Sequence, residues 1–127
     1  MKLIRFTHKH ISYVEEMLEL RDMDKAILKD LPQIGYICFH HAVPIAIGFI
    51  RRVEGPYVML DSYMTNPMFA PELRNTALDK ITESLLYYAK KNNVIKVLAF
   101  SLDANTIQRA LRHGFVQHSH VFTSLTL

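Results

Sequence analysis

Residues 57–102 decide the fold, and they read YVMLDSYMTNPMFAPELRNTALDKITESLLYYAKKNNVIKVLAFSL. The segment predicts a strand over Tyr57–Thr65, a long helix with Pro71 in its first turn and Lys90 and Lys91 in its last, and an apolar strand over 94–102. A strand–helix–strand unit of this kind is almost always right-handed, with its two strands parallel. We therefore expect one parallel strand pair in the sheet.

Alternation along the first strand separates two faces, because successive side chains of a strand point in opposite directions. The pattern places Asp61, Tyr63 and Thr65 on one face, and Val58, Leu60, Ser62 and Met64 on the other. In the helix, apolar residues recur at positions 77, 81, 85 and 88, which is typical of a buried stripe. The sequence thus predicts a helix that packs on a strand carrying a carboxylate.

The residues on either side of this segment extend the prediction to the whole chain. Upstream we expect a strand over 3–7, helices over 9–20 and 22–29, and a hairpin of strands 35–40 and 45–51. Downstream we expect a short helix, with Ile107, Ala110 and Leu111 facing inward and Gly114 as its cap, and then strands over 115–118 and 121–127. The predicted order is β-α-α-β-β-β-α-β-α-β-β.

Composition places the chain in one class of protein and excludes several others. Its 127 residues are 50% hydrophobic and 21% charged, as in an ordinary globular domain. Cys38 is the only cysteine, which excludes an internal disulfide and favours a cytoplasmic location. No apolar run approaches the roughly 20 residues of a membrane helix, so we expect no membrane partner.

Charge and histidine content point to no specific partner. The net charge of +3 favours anionic ligands in general, but no basic block or aromatic–basic stripe favours nucleic acid. His118 and His120 would share a face of the last predicted strand and could share a metal ion, yet further ligands at a recognisable spacing are missing. We therefore interpret these histidines as surface residues and Cys38 as a core residue, and predict no metal site.

The ordered series of segments resembles the GNAT superfamily of N-acetyltransferases over nearly the whole chain. The pieces that carry this resemblance are LIRFTHKHISYVEEMLEL, PIAIGFIRR, MTNPMFAPELRNTALDKI and ALRHGF. The resemblance implies a single acyltransferase domain over residues 1–127. Its fold would be α/β, with a mixed, mostly antiparallel central sheet and a splayed parallel strand pair. It also implies acetyl-CoA as co-substrate and direct transfer of the acetyl group to a primary amine.

The family holds the pyrophosphate of acetyl-CoA on a loop with the pattern Arg/Gln-x-x-Gly-x-Gly/Ala. The matching residues here are Arg74, Asn75, Thr76, Ala77, Leu78 and Asp79. Ala77 replaces the first glycine, and Asp79 brings a carboxylate toward the phosphates, where like charges would repel. Asp79 could instead favour the first turns of its helix. By the same resemblance, main-chain groups of Met64 and Thr65 would pair with the pantetheine arm, and Asn105 would begin the last helix.

The catalytic residues of the family are only partly matched. The tyrosine that usually protonates the departing thiolate corresponds to Ala110, and neither Ser101 nor His113 fits the pattern. Asp61 is our candidate base for the acceptor amine, with Glu54 as a weaker choice. An aspartate on a strand can equally be a hydrogen-bonded structural residue. The sequence therefore predicts an acyltransferase with an atypical cofactor loop and no assigned acid.

The same departures from the family pattern support a second hypothesis. A catalytically inactive domain of this fold could act as a protein-binding or structural component, of the kind found in phages. The apolar residues of the last predicted strand, 121–127, would allow pairing with a second copy, so we also predict a homodimer. The acceptor is expected to be a small-molecule or peptide amine, without further definition.

Overall fold

The computed structural model describes residues 1–118 and 125–127, which form a mixed α/β domain. Its strands are β1 (Lys2–Arg5), β2 (Ile34–His40), β3 (Val43–Glu54), β4 (Tyr57–Thr65) and β5 (Lys96–Leu98). Its helices are α1 (Ile11–Leu20), α2 (Pro71–Lys91) and α3 (Ala104–Arg112), with short 3₁₀ helices at His8–His10 and Lys25–Asp30. The predicted order therefore holds from β1 to α3.

The five strands form one sheet in the order β1-β2-β3-β4-β5. The first four pair antiparallel as successive neighbours, whereas β4 and β5 pair in parallel through the α2 crossover. The prediction of a mostly antiparallel sheet with one parallel pair is confirmed.

Two apolar layers cover the two faces of the sheet. On one face, Val14, Met17 and Leu18 of α1 pack over Phe49 and Ile47. On the other face, α2 supplies a stripe of buried residues at helical spacing, which comprises Ala77, Leu78, Ile81, Leu85 and Ala89. The sheet is thus the central layer of a three-layer domain.

β4 contains an irregularity that the sequence pattern did not predict. Ile47 pairs with Met64 and Phe49 pairs with Asp61, so Ser62 and Tyr63 lie opposite Gly48 alone. Such a bulge adds one residue to a strand and bends it. Ser62 has a positive φ of 54°, which accommodates the extra residue.

The bulge corrects the predicted alternation. Asp61 lies opposite Phe49 of the α1 layer, whereas Tyr63 packs into the α2 layer and bonds to Thr82. The extra residue at Ser62 reverses the direction of the side chains that follow it, because alternation in a strand has a period of two. The prediction that Asp61 and Tyr63 share a face is therefore wrong.

The C-terminal quarter also departs from the prediction. The strand expected over 94–102 is limited to Lys96–Leu98, and residues 115–118 form no strand. The strand and dimer edge predicted over 121–127 lie largely outside the described residues. Gly114 has a φ of 89° and follows the end of α3, as expected of a C-terminal glycine.

Candidate functional site

The candidate site is a gap beside the second half of β4. Pairing with β5 covers only Tyr57, Val58 and Met59 of this strand. Beyond Leu98 the chain leaves the sheet toward α3, so β4 residues 60–65 have no strand partner on this side within the part of the chain that the structure describes. The opening measures about 520 Å³, which falls within the usual range for a ligand pocket of about 300–1,000 Å³.

Elements from both faces of the sheet line this gap. The end of α1 contributes Arg21, α2 contributes Leu78 and Thr82, and α3 contributes Arg109 and Ala110. The bend at the β4 bulge and the early end of β5 together keep the strands apart. The predicted splay of the parallel pair is therefore present in the structure.

The free edge of β4 presents main-chain groups to the gap. The amide of Asn66 donates to the Ile45 carbonyl at 2.8 Å, on the β3 side. Because a peptide group is planar and its N–H and C=O point in opposite directions, the Thr65 carbonyl points away from β3 and into the gap. Met64 and Thr65 are both buried at this edge. The structure thus brings both predicted arm-binding residues to the gap.

One side chain already occupies this edge. The Arg21 guanidinium donates through Nε to the Thr65 carbonyl at 2.7 Å and through Nη2 to the Thr65 hydroxyl. Burial, and secondly the charge of Arg74, lower the pKa of Arg21. Neither arginine has a carboxylate partner among residues 1–118 and 125–127, and Arg74 Nε is buried without a hydrogen-bond partner there. The charges of both arginines are therefore without a carboxylate partner in this part of the chain.

The predicted phosphate segment lies inside a helix. α2 begins at Pro71, and its first main-chain bond runs from the Arg74 amide to the Ala70 carbonyl at 3.1 Å. The amides of residues 75–79 are therefore engaged within the helix, and the free donors at its beginning belong to Glu72 and Leu73. The predicted role of the main chain over 75–79 conflicts with this geometry, whereas Arg74 keeps its position in the first turn.

Asp79 lies in the third turn of α2, so the expectation that it favours the first turns is wrong. Its carboxylate contacts three cationic or basic groups of α3. The Oδ1 atom lies 3.7 Å from Arg109 Nε, 3.3 Å from Arg112 Nη2 and 3.0 Å from His113 Nε2. The carboxylate that we expected to repel phosphates is therefore neutralised by α3.

Arg109 is the buried arginine of this cluster, with 8% of its surface exposed. Its Nη2 donates to Asn75 Oδ1 at 2.7 Å, and its Nε has no hydrogen-bond partner in the described chain. Arg109 is not among the predicted site residues, because the stripe expected to face inward was Ile107, Ala110 and Leu111. Leu111 is instead 39% exposed. An arginine four residues before His113, on the same helix face, was the signal that could have identified it.

Asp61 lies at the gap but is engaged in an ion pair. Its Oδ2 accepts from Arg51 Nε at 2.5 Å, and Arg51 also reaches Asp30. Among residues 1–118 and 125–127, Oδ1 has a single neighbouring donor, the Ser62 hydroxyl at 3.4 Å. One carboxylate oxygen of Asp61 is thus available for a further partner. The hydrogen bond to Asp61, followed by its charge, raises the pKa of Arg51.

The tyrosine at the gap does not replace the missing acid. Burial raises the pKa of Tyr63 to about 12, although its bond to Thr82 and the charge of Arg109 oppose this shift. The Thr82 hydroxyl donates to the Leu78 carbonyl at 2.8 Å, so the Tyr63 hydroxyl donates to Thr82 at 3.0 Å. Its proton is directed to α2. Ala110 lines the gap with a methyl group only.

Two further predicted residues, Asn105 and Cys38, do not line the gap. Asn105 is exposed at the beginning of α3, where Asp103 caps the helix by accepting from the Thr106 amide at 2.9 Å. Cys38 is fully buried, and burial raises the pKa of its thiol. No cluster of three or more potential metal ligands occurs among the described residues. None of the helices that the structure describes combines the length and the hydrophobicity of a membrane span.

Comparison with solved structures gives matches over most or all of the chain, among them N-acetyltransferases. TTHA1254 from Thermus thermophilus superposes with a TM-score of 0.75 at 13% identity, over 100% of this chain and 98% of that one. The aminoglycoside N-acetyltransferase AAC(6')-Iy, solved with CoA, gives 0.68 at 14% identity over 99% of both chains. The Escherichia coli ribosomal-protein-S18-alanine N-acetyltransferase gives 0.73 at 12% identity, over 93% and 79%.

Sequence comparison adds nothing to these matches. No protein-family model and no curated protein sequence matches the chain significantly. The element order, the parallel pair beside a mostly antiparallel sheet, and the full-length superpositions nevertheless agree. The chain has the fold of the GNAT N-acetyltransferases.

Proposed function

We propose that this protein is an acyl-CoA-dependent N-acetyltransferase that transfers an acetyl group to a small-molecule amine. The observation that carries the proposal is the gap between β4 and the chain beyond β5, with the Thr65 carbonyl directed into it. A strand edge of this kind can pair with an amide-containing arm without a particular side chain. The acetyltransferase AAC(6')-Iy, which shares the fold, was solved with CoA.

The charges around the gap support an anionic donor. Arg21 and Arg74 lack carboxylate partners in the described part of the chain, and the α2 N-terminus adds the free amides of Glu72 and Leu73. Helix N-termini and arginines are favourable phosphate partners. Since α3 neutralises Asp79, that carboxylate does not oppose a phosphate here. We therefore assign phosphate binding to Arg74, Glu72 and Leu73.

The reaction itself places few demands on side chains. Acetyl-CoA supplies the activated acetyl group, and attack by a neutral amine breaks its C–S bond. Asp61 retains one oxygen that can accept a proton from the amine, directly or through water. Tyr63 donates its proton to Thr82, so in this proposal the departing thiolate is protonated by solvent. Positioning in the gap is then the main contribution to rate.

Binding is tested first, by thermal unfolding and calorimetry with CoA. At a hundred times its Kd, a ligand stabilises the folded state by about 2.7 kcal/mol. Ala110→Trp would fill the gap and should abolish the shift, whereas Ala104→Trp, at an exposed position of the same helix, should not. Absence of any shift at millimolar CoA would contradict the proposal.

Activity is tested next, by release of the CoA thiol from acetyl-CoA with a panel of polyamines, aminoglycosides and peptide amines. Turnover with at least one class, lost in Ala110→Trp, is expected. The alternative of a catalytically inactive domain is favoured by Ala110, which supplies no acid. It predicts CoA binding without turnover for every amine, or no binding at all.

A further inference from the structure

We propose that Arg21 determines which thioesters enter the gap. Its guanidinium blocks the pairing edge of β4 until it leaves Thr65 to bind the phosphate of a ligand. This inference rests on the proposed function, and it adds a specificity-determining residue from outside the α2 segment. Three features of the described structure carry it, namely the position of Arg21, its contacts with Thr65, and its unneutralised charge.

The end of α1 directs Arg21 into the gap. The helix ends at Leu20, and the Arg21 amide still donates to the Met17 carbonyl at 3.2 Å. Asp22 then adopts a φ of 52°, which turns the chain away from the helix axis. The Arg21 side chain therefore leaves the helix end at a fixed position and crosses to the free edge of β4.

The contacts with Thr65 occupy the groups that an arm would need. The guanidinium binds the Thr65 carbonyl at 2.7 Å and also the Thr65 hydroxyl, so two of its donors are held by one residue. The fixed fork of an arginine makes such a paired contact specific. An amide-containing arm can pair with this carbonyl only after the guanidinium moves. Arg21 therefore opposes entry of any ligand into this part of the gap.

The charge of Arg21 decides which ligands overcome that opposition. The guanidinium is partly buried, near Arg74, and has no carboxylate partner among the described residues. A phosphate beside it would offer a stronger partner than a neutral carbonyl. A ligand without a phosphate offers the guanidinium no stronger partner than Thr65. A ligand can shift a conformational equilibrium only by its differential affinity for the two states, so phosphate-bearing ligands are selected.

The test compares CoA with pantetheine, which has the same arm but no phosphate. Binding to wild type and to Arg21→Met is measured by calorimetry at fixed ionic strength. Removal of the Arg21 side chain from the β4 edge should increase the affinity for pantetheine by about tenfold. Loss of its positive charge should decrease the affinity for CoA by a similar factor, given the usual strength of hydrogen bonds to charged groups. Arg52→Met, which removes an exposed arginine from β3, is the matched control and should change neither affinity.

A second variant separates the blocking of the β4 edge by Arg21 from the effect of its positive charge. Thr65→Val removes the hydroxyl contact and keeps Arg21, so both ligands should bind more tightly by a few-fold. Equal losses of affinity for both ligands in Arg21→Met, or no change in either, would overturn the inference, whereas CoA binding by wild type would still support the proposed function. If wild type and both variants fail to bind CoA, the proposed function fails, and this inference fails with it.

Discussion

Replacement of Asp79 by alanine should destabilise the protein through the charge that it leaves behind on α3. Arg109 is 8% exposed, and Asp79, at 3.7 Å, is the one carboxylate partner of its Nε in the described residues. Loss of one partner of a buried pair costs about 3–5 kcal/mol, whereas exposed pairs contribute about 0–1 kcal/mol. The Asp79 side chain is 32% exposed and Arg109 keeps its bond to Asn75, so we expect an intermediate loss of about 2 kcal/mol.

The second variant in the cycle is Arg109→Leu. Asp79 then retains Arg112 and His113, so the single Arg109 replacement should change stability by less than about 1 kcal/mol. In the double variant both charges of the Arg109–Asp79 pair are absent, and stability should return to within about 1 kcal/mol of wild type.

Urea unfolding, followed by circular dichroism, measures all four proteins of the cycle. For a chain of this length, about 2 kcal/mol corresponds to roughly 6–10 °C in Tm. Glu83→Ala is the matched control, since it removes an exposed carboxylate from the same helix and should change stability by at most about 0.5 kcal/mol. If the double variant were as unstable as Asp79→Ala, the unpaired charge of Arg109 would not be the cause.

Three further changes test separate parts of the fold. The Thr7 amide donates to His10 Nδ1 at 2.9 Å, and burial lowers the pKa of His10 from 6.5. The unfolded chain therefore binds the proton first, so stability should fall as pH drops below 6.5, and His10→Gln should remove that part of the pH dependence of urea unfolding. Ala42 has a φ of 64° in the β2–β3 turn, so Ala42→Gly should raise the free energy of unfolding by about 1 kcal/mol. A Cβ at Gly48 would lie 2.8 Å from Tyr63, so Gly48→Ala should overpack the core. We expect the free energy of unfolding to fall by about 1–3 kcal/mol, which a lower Tm would show.

Hydrophobic periodicity was sufficient to predict the elements that bury the core. The stripe at Ala77, Ile81 and Leu85 is fully buried, and the helix that carries it begins at Pro71 as expected. These signals are local, and tertiary contacts reinforce them here. The parallel crossover followed from the same segment, because a strand–helix–strand unit permits few arrangements.

The site was harder to predict because its geometry depends on contacts between distant residues. The bulge at Ser62 is set by pairing with β3 and cannot be read from alternation in β4 alone. Arg21 and Thr65 are 44 residues apart, and Arg109 and Asn75 are 34 apart. The family resemblance suggested Thr65 from its strand and Arg74 from its motif, whereas no local pattern indicates which distant arginine completes the gap.

A strand that bends because it has one residue too many accepts at that position any residue that can adopt the positive φ of Ser62. In β4, substitutions should preserve the opening, while a one-residue insertion or deletion between positions 60 and 65 would shift every later side chain to the opposite face. The amino-acid sequence can therefore change widely while the fold is kept, as in this chain, which superposes on structures to which it is only 12–14% identical.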